Sequence, residues 1–129
     1  MTTEMNRPGA YKFIALERAV QIVASLPRVE RLIRRHSAHL ADQVERASGS
    51  IAANLGEGNR RQGKDRLHFF RIAAGSAEET RMHLRVAIAR GWITDLDAAV
   101  PLDLIDQELA MLWRITQTLR TSRGLEPSA

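Results

Sequence analysis

Apolar residues recur at intervals of three and four along almost the whole of this 129-residue chain, and no other feature constrains its fold as much. This spacing lines up apolar side chains on one face of an α-helix, whereas a half-buried strand needs strict alternation. The sequence contains no run of alternating polarity, and its β-branched residues are scattered. It therefore predicts an all-α protein.

The periodic segments predict four helices, which cover residues 10–25, 28–55, 64–90 and 101–121. Pro27 should end the first helix, because the residue before a proline is driven out of the α region. The short polar connection between the second and third helices contains three glycines, Gly56, Gly58 and Gly63. Gly91 suits the end of the third helix, and Thr94 or Asp95 is expected to cap a short helical turn before Pro101.

Each predicted helix carries an apolar stripe, and an antiparallel up-down four-helix bundle is the simplest way to bury all four stripes. The second stripe includes His36. The chain length predicts a single domain over residues 1–129, since one core serves about 100–200 residues. The tails, residues 1–8 and 122–129, are expected to be flexible.

The predicted apolar stripe of the first helix consists of Phe13, Leu16, Ala19, Val20 and Val23.

Several apolar residues fall outside these stripes, namely Met82, Val86, Trp92, Met111, Trp113 and Ile115. If they form a second apolar face, that face needs a partner to cover it. The sequence therefore predicts that the protein associates with itself.

The composition narrows the chemistry open to the chain. It has no cysteine, which excludes disulfides, thiolate metal sites and cysteine nucleophiles. No segment approaches the roughly 20 apolar residues of a membrane span, and residues 1–8 carry no secretory signal, so we expect a cytoplasmic protein without membrane contact. The sequence has no nucleophile elbow, P-loop or dinucleotide-binding motif, so we expect neither an enzyme nor a cofactor.

Two groups of residues have the spacing of metal ligands on one helical face. His36 and His39 precede Asp42, and Glu79 lies four residues before His83. Di-metal helix bundles repeat a Glu-x-x-His motif on two helices, and this chain lacks that repeat. We therefore expect no metal site, and histidines that are exposed or hydrogen-bonded.

Charge is distributed unevenly along the chain, whose net charge is +4 at pH 7. Residues 94–111 contain five acidic residues and no basic one. Residues 58–71 contain one acidic residue and the basic residues Arg60, Arg61, Lys64, Arg66 and Arg71. A basic connection at the start of a helix favours phosphate, because exposed backbone N–H groups and arginine side chains both bind anions.

Two short motifs lie on either side of this basic connection. The first is S-I-A-A-N-L-G-E-G at residues 50–58, and the second is F-R-I-A-A-G-S at residues 70–76, followed by Glu79. Together they resemble the four-helix-bundle family that includes the proteins encoded in ribosomal RNA intervening sequences and the accessory variability protein of diversity-generating retroelements. Leu55 and Gly56 depart from the family, which tends to have isoleucine and alanine there.

The resemblance implies a homopentamer with a basic surface that binds nucleic acid and, in the retroelement members, a reverse transcriptase. We therefore expect a non-catalytic accessory protein that binds RNA or DNA phosphates without sequence preference. The alternative is a protein adaptor, which docks a reverse transcriptase or another partner without touching nucleic acid. The predicted nucleic-acid contacts are Arg60, Arg61, Lys64, Arg66 and Arg71, with Arg31 and Arg35 from the far end of the second helix.

A structural role is also predicted for the motif residues Asn54, Glu57, Gly58, Gly75, Ser76 and Glu79. Asn54 and Glu57 can bond free backbone groups at a helix end, and Gly58 permits the left-handed conformation of a cap. The Gly-Ser pair lets a neighbouring helix approach closely, and Glu79 can meet donors from the second helix. Direct contact with a partner is the alternative for all six.

Overall fold

The computed structural model describes residues 10–122 and contains five α-helices and no strand in that range. The all-α class is confirmed, but the predicted number of four helices is wrong. The predicted flexible tails lie outside the described residues, except that Ser122 belongs to the last helix. The helices are α1 (Ala10–Ala24), α2 (Pro27–Arg34), α3 (Ala38–Asn59), α4 (Gly63–Ala89) and α5 (Asp95–Ser122).

The predicted helix over residues 28–55 is divided into α2 and α3 by Ser37. The backbone of Ser37 is extended, with φ −153° and ψ 103°, and its hydroxyl accepts a hydrogen bond from the Leu40 N–H at 3.0 Å. An N-cap of this kind satisfies one of the free N–H groups that begin a new helix. His36, predicted for the buried stripe, lies in this break and is exposed.

The predicted break before Pro27 is confirmed, with Pro27 in the first turn of α2. Leu26 nevertheless keeps α-region dihedrals, φ −97° and ψ −19°, so the expected cause is wrong. The break follows instead from the backbone N–H that proline lacks, which a continuing helix would need for its hydrogen bond. The first turn of a new helix makes no use of that N–H and accepts proline.

The last helix begins earlier than predicted and contains Pro101 inside it. Thr94 and Asp97 explain the early start through two reciprocal bonds. The Asp97 N–H donates to the Thr94 hydroxyl at 3.0 Å, and the Thr94 N–H donates to the Asp97 carboxylate at 2.9 Å. This capping box begins α5 before the proline is reached.

Helices α1 and α4 each pack against both α3 and α5, while α2 packs on α3. The α3–α4 pair is antiparallel, because a three-residue connection joins the two helices and Ser50 contacts Ser76. The shared core draws on all the helices, and its largest fully buried side chains include Ile22, Ile33, Ile51, Phe70, Leu84 and Leu112. No helix in residues 10–122 has the length and apolarity needed to cross a bilayer.

The face of α1 that enters the core differs from the predicted stripe. Phe13 and Val20 are 55% and 51% exposed, and Val23 also faces out. Apolar residues surround most of this helix, so their spacing does not select one face. The residues that are buried there are Ala15, Ala19 and Ile22, followed by Leu26 after the helix.

Candidate nucleic-acid interface

The basic residues of the α3–α4 connection occupy an exposed turn. Arg60 and Arg61 follow the end of α3, and Lys64 lies in the first turn of α4. Gly63, the first residue of α4, has a φ of +60°, which residues with a side chain rarely adopt. This conformation turns the chain into the direction of α4. We call Arg60, Arg61, Lys64 and Arg66 the basic turn.

Glu57 holds the two arginines that begin the basic turn. Its carboxylate accepts hydrogen bonds from Arg60 at 2.7 Å and from Arg61 at 2.9 Å. These bonds lower the pKa of Glu57. The predicted role of Glu57 in bonding backbone groups is therefore wrong, since it orders the arginine side chains and offsets part of their charge.

Arg66 performs the capping that was predicted for Asn54 and Glu57. Its guanidinium donates to the carbonyls of Gly58 and Asn59, at 3.1 and 3.2 Å, at the end of α3. Asn54 instead donates to the backbone carbonyl and hydroxyl of Ser50, one turn back in the same helix, at 2.8 and 2.9 Å. Arg66 is thus partly committed to the fold, whereas Lys64 is exposed.

Gly58 has a packing role, and the prediction that it adopts a left-handed cap is wrong. It lies inside α3, and only Gly63 and Gly91 have positive φ among the described residues. A Cβ atom at Gly58 would lie 2.5 Å from the Phe70 ring. The glycine therefore permits the close approach of α3 and α4 just behind the basic turn.

Two of the remaining motif residues, Ser76 and Glu79, line a polar groove between α3 and α4, whereas Gly75 lines a groove between α4 and α5. Ser76 is buried and its hydroxyl donates to the Ser50 hydroxyl at 2.8 Å across the two helices. Glu79 is exposed and contacts His83 on its own helix at 3.2 Å, not a donor from α3. Gly75 has no atom near the position of a Cβ, so close helix approach depends on Ser76 and not on Gly75.

The predicted contacts Arg31 and Arg35 are exposed but lie far from the basic turn. They precede α3, and the basic turn follows it, so about 33 Å of helix separates the two groups at ~1.5 Å per residue. Arg34, between them, pairs with Asp42 at 2.9 Å. The structure therefore divides the predicted contacts into two surfaces, one at each end of α3.

Arg71 belongs to the surface of the basic turn. It is exposed on α4, seven residues after Lys64, so two helical turns place both side chains on one face. Arg61 also contacts α4, with its guanidinium 5.3 Å from the centre of the Phe69 ring. Basic side chains therefore lie at the connection and again two turns along α4.

Two of the five acidic residues in residues 94–111 pair closely with arginines of other helices. Asp97 accepts from Arg28 at 2.8 Å, and Asp106 accepts from Arg81 at 3.1 Å. The Thr94 N–H and Arg28 lower the pKa of Asp97 to about 2. These two ion pairs join α5 to α2 and α4, whereas Asp95 and Asp103 are exposed and have no arginine partner among the described residues.

Of the candidate metal ligands, Asp42 pairs with Arg34, and Glu79 and His83 contact each other. The His36 ring stacks on Trp92, with ring centres 5.7 Å apart and planes 2° from parallel. Within residues 10–122, no three His, Cys, Asp or Glu side chains come together as a metal site would require.

The complete burial of Glu108 on α5 was not predicted from the sequence. The spacing of Glu108, three residues after Ile105 and four before Leu112, is a weak sequence signal of its burial. Trp113, predicted to lie outside the stripes, is 65% exposed beside a groove between α4 and α5. Met111 and Ile115, predicted to lie outside the core, are buried, whereas Met82, Val86 and Trp113 are exposed.

Known proteins resemble this chain in sequence pattern and in fold. The family model described as "23S rRNA-intervening sequence protein" matches residues 12–114. A crystal structure from Bacteroides thetaiotaomicron, of a protein with unknown function from the S23 ribosomal protein family, has a similar fold. Its TM-score is 0.72 at 19% sequence identity, over 79% of this chain and 97% of that chain. Among curated proteins, no match was found.

Proposed function

The chain belongs to the 23S rRNA-intervening sequence protein family, and from this premise we propose that it is a non-catalytic protein that binds RNA or DNA phosphates through its basic turn. The sequence resemblance to that family is confirmed. The further resemblance to the retroelement accessory protein stays a prediction, as does a cytoplasmic location.

The exposed N-terminus of α4 within the basic turn carries the proposal. Gln62, which precedes α4, makes no side-chain capping bond, so the first N–H groups of the helix have no cap from it. Lys64 lies beside them, and Arg60 and Arg61 approach from the end of α3. A phosphate here gains both helix N–H donors and cationic side chains.

Phosphate contacts of this kind carry no base information, so we expect binding to depend on salt and not on sequence. Removing three charges of the basic turn with Arg60→Gln, Arg61→Gln and Lys64→Gln should weaken binding. It should also flatten the dependence of the logarithm of affinity on the logarithm of salt, by about 0.9 for each duplex phosphate that the variant no longer neutralises. Arg66 is left in place because it caps α3.

The matched control removes three charges elsewhere, with Arg46→Gln, Arg85→Gln and Arg90→Gln. Fluorescence anisotropy with labelled RNA and DNA at two salt concentrations should separate the two variants. Equally weakened binding by both would mean that only net charge matters. Absence of binding by the wild-type protein at low salt would refute the proposal.

We also propose that the protein is a homopentamer, as the resemblance implies. Exposed apolar residues support self-association. Ile72, Met82 and Val86 share the outer face of α4, and Met82 is 55% exposed. Repetition of the basic turn around a ring would raise affinity through effective concentration.

For the protomer, we propose an up-down bundle of the four long helices α1, α3, α4 and α5. Each of them packs against two of the others, which supports a closed four-helix arrangement. The short helix α2 is then an addition at one end of α3.

A protein adaptor is the second candidate function, in which the exposed apolar face of α4 meets another protein in place of a second protomer. Its partner would be a reverse transcriptase or another protein, held without nucleic acid. Pull-down after nuclease treatment tests this candidate. A partner that stays bound favours the adaptor, and one that is released by nuclease favours binding through nucleic acid.

A further inference from the structure

A groove of about 460 Å³ lies between α4 and the second half of α5, next to the surface of the basic turn. Small residues form part of its lining, and a Cβ at Gly75 would meet no atom within 4 Å. The indole of Trp113 borders the groove and is 65% exposed, although Leu112 beside it is fully buried. Its lining includes Arg71, Ala74, Gly75, Leu109, Ala110 and Trp113.

An exposed indole beside small side chains leaves room for another flat ring. Nucleobases stack on aromatic side chains whatever their sequence, because every base has a π-face. Binding of single strands combines such stacking with a cationic path for the phosphates. Trp113 supplies the aromatic surface, and Arg71 supplies a cation on the opposite wall of the same groove.

The charges of the groove favour a nucleic acid over a protein helix. Arg71 lies two turns along α4 from Lys64, so the cationic path leads from the groove into the basic turn. Glu78, the acidic residue of the lining, bonds to Arg81, which is shared with Asp106 and so offsets part of the charge of Glu78. A nucleic-acid strand uses the stacking surface and the cationic path together.

We propose that an unpaired nucleobase of RNA or DNA stacks on Trp113 in this groove while Arg71 binds the adjacent phosphate. This inference rests on the proposed function and adds to it a preference for unpaired over paired strands. Duplex ends and loops qualify as ligands only where a base is free to leave its stack.

The test uses a labelled ten-nucleotide oligo-thymidine and a blunt-ended, fully paired DNA duplex as probes of the full chain. Trp113→Ala should weaken oligo-thymidine binding by roughly 5- to 150-fold, from the ~1–3 kcal/mol that one stacked base contributes. Affinity for the duplex should stay the same. Trp113→Phe, which keeps an aromatic ring, should retain most of the affinity for oligo-thymidine.

Tryptophan fluorescence gives a readout that a structural role would not change. Oligo-thymidine should quench the wild-type emission, whereas Trp113→Phe should bind without quenching, because the remaining Trp92 lies at the other end of α4. Because the Trp113 side chain is exposed, both variants should fold, and thermal melting checks this.

Unchanged oligo-thymidine affinity in Trp113→Ala would overturn the inference while the proposed function stands. The same affinity with a lower mass by light scattering would assign Trp113 to a protein contact and also overturn it. A wild-type protein that binds neither probe at low salt would remove the proposed function itself, and the inference with it.

Discussion

Glu108 lies in the core with both carboxylate oxygens lacking a hydrogen-bond partner among the described residues. The Arg18 guanidinium is 4.0 Å away and donates to the Met111 sulfur instead. Burial disfavours the charged carboxylate and raises the pKa of Glu108 to about 8. The side chain is therefore protonated in the folded protein at neutral pH.

The free energy of unfolding should fall as pH rises from about 4.5 to about 8, because the folded protein keeps a proton that the unfolded chain releases. The total decrease is up to about 5 kcal/mol, at about 1.4 kcal/mol for each pKa unit. Glu108→Gln should remove this part of the pH dependence. Urea denaturation of both proteins across this range measures it, and parallel curves would contradict the assignment.

Two glycines of the first motif give a matched pair of substitutions. Gly58→Ala should destabilise the protein by about 1–3 kcal/mol, because its Cβ would overlap the Phe70 ring. Gly56→Ala meets no atom within 4 Å and should stabilise α3 by up to about 1 kcal/mol. Denaturation midpoints compare the two, and an equal effect would mean that the approach of α3 to α4 is not limiting.

At the scale of elements, the break between α2 and α3 depends on one capping side chain. Ser37→Ala removes the hydroxyl that accepts the Leu40 N–H and should cost about 1 kcal/mol. Ser37→Asp retains a cap and is the control. If thermal denaturation finds the alanine and aspartate variants equally stable, Ser37 does not hold this break.

The early start of α5 shows how a cap and a tertiary contact combine. Asp97 completes the capping box with Thr94 and also accepts from Arg28 of α2. One carboxylate therefore fixes both the beginning of α5 and the position of α2. The sequence predicted that the last helix starts at Pro101, but it could not show that one helix continues through this residue.

At the scale of the whole molecule, the outer face of α4 is the expected contact between protomers. Met82→Glu with Val86→Glu should reduce the mass measured by light scattering from five times the 14.5 kDa chain toward one. Charged groups there would be buried without partners in an oligomer. The pair is exposed and four residues apart.

The control for this prediction is Leu96→Glu with Val100→Glu, a pair of the same spacing and greater exposure on α5. Its mass should match that of the wild type. A wild-type protein that is monomeric at high concentration would contradict self-association, and failure of both variants to assemble would move the contact away from α4.

The sequence by itself determined the all-α class, the break at Pro27, the basic connection before α4 and the family. These features depend on neighbouring residues along the chain. A proline has no N–H to continue a helix, and a period of three to four apolar residues forms a helical face without help from elsewhere.

Only the tertiary structure decided which apolar face of α1 is buried, that Glu108 enters the core, and that Trp113 stays exposed beside Arg71. Burial and proximity of this kind depend on packing between residues distant in sequence, and the residues of one helix do not encode which neighbour covers them.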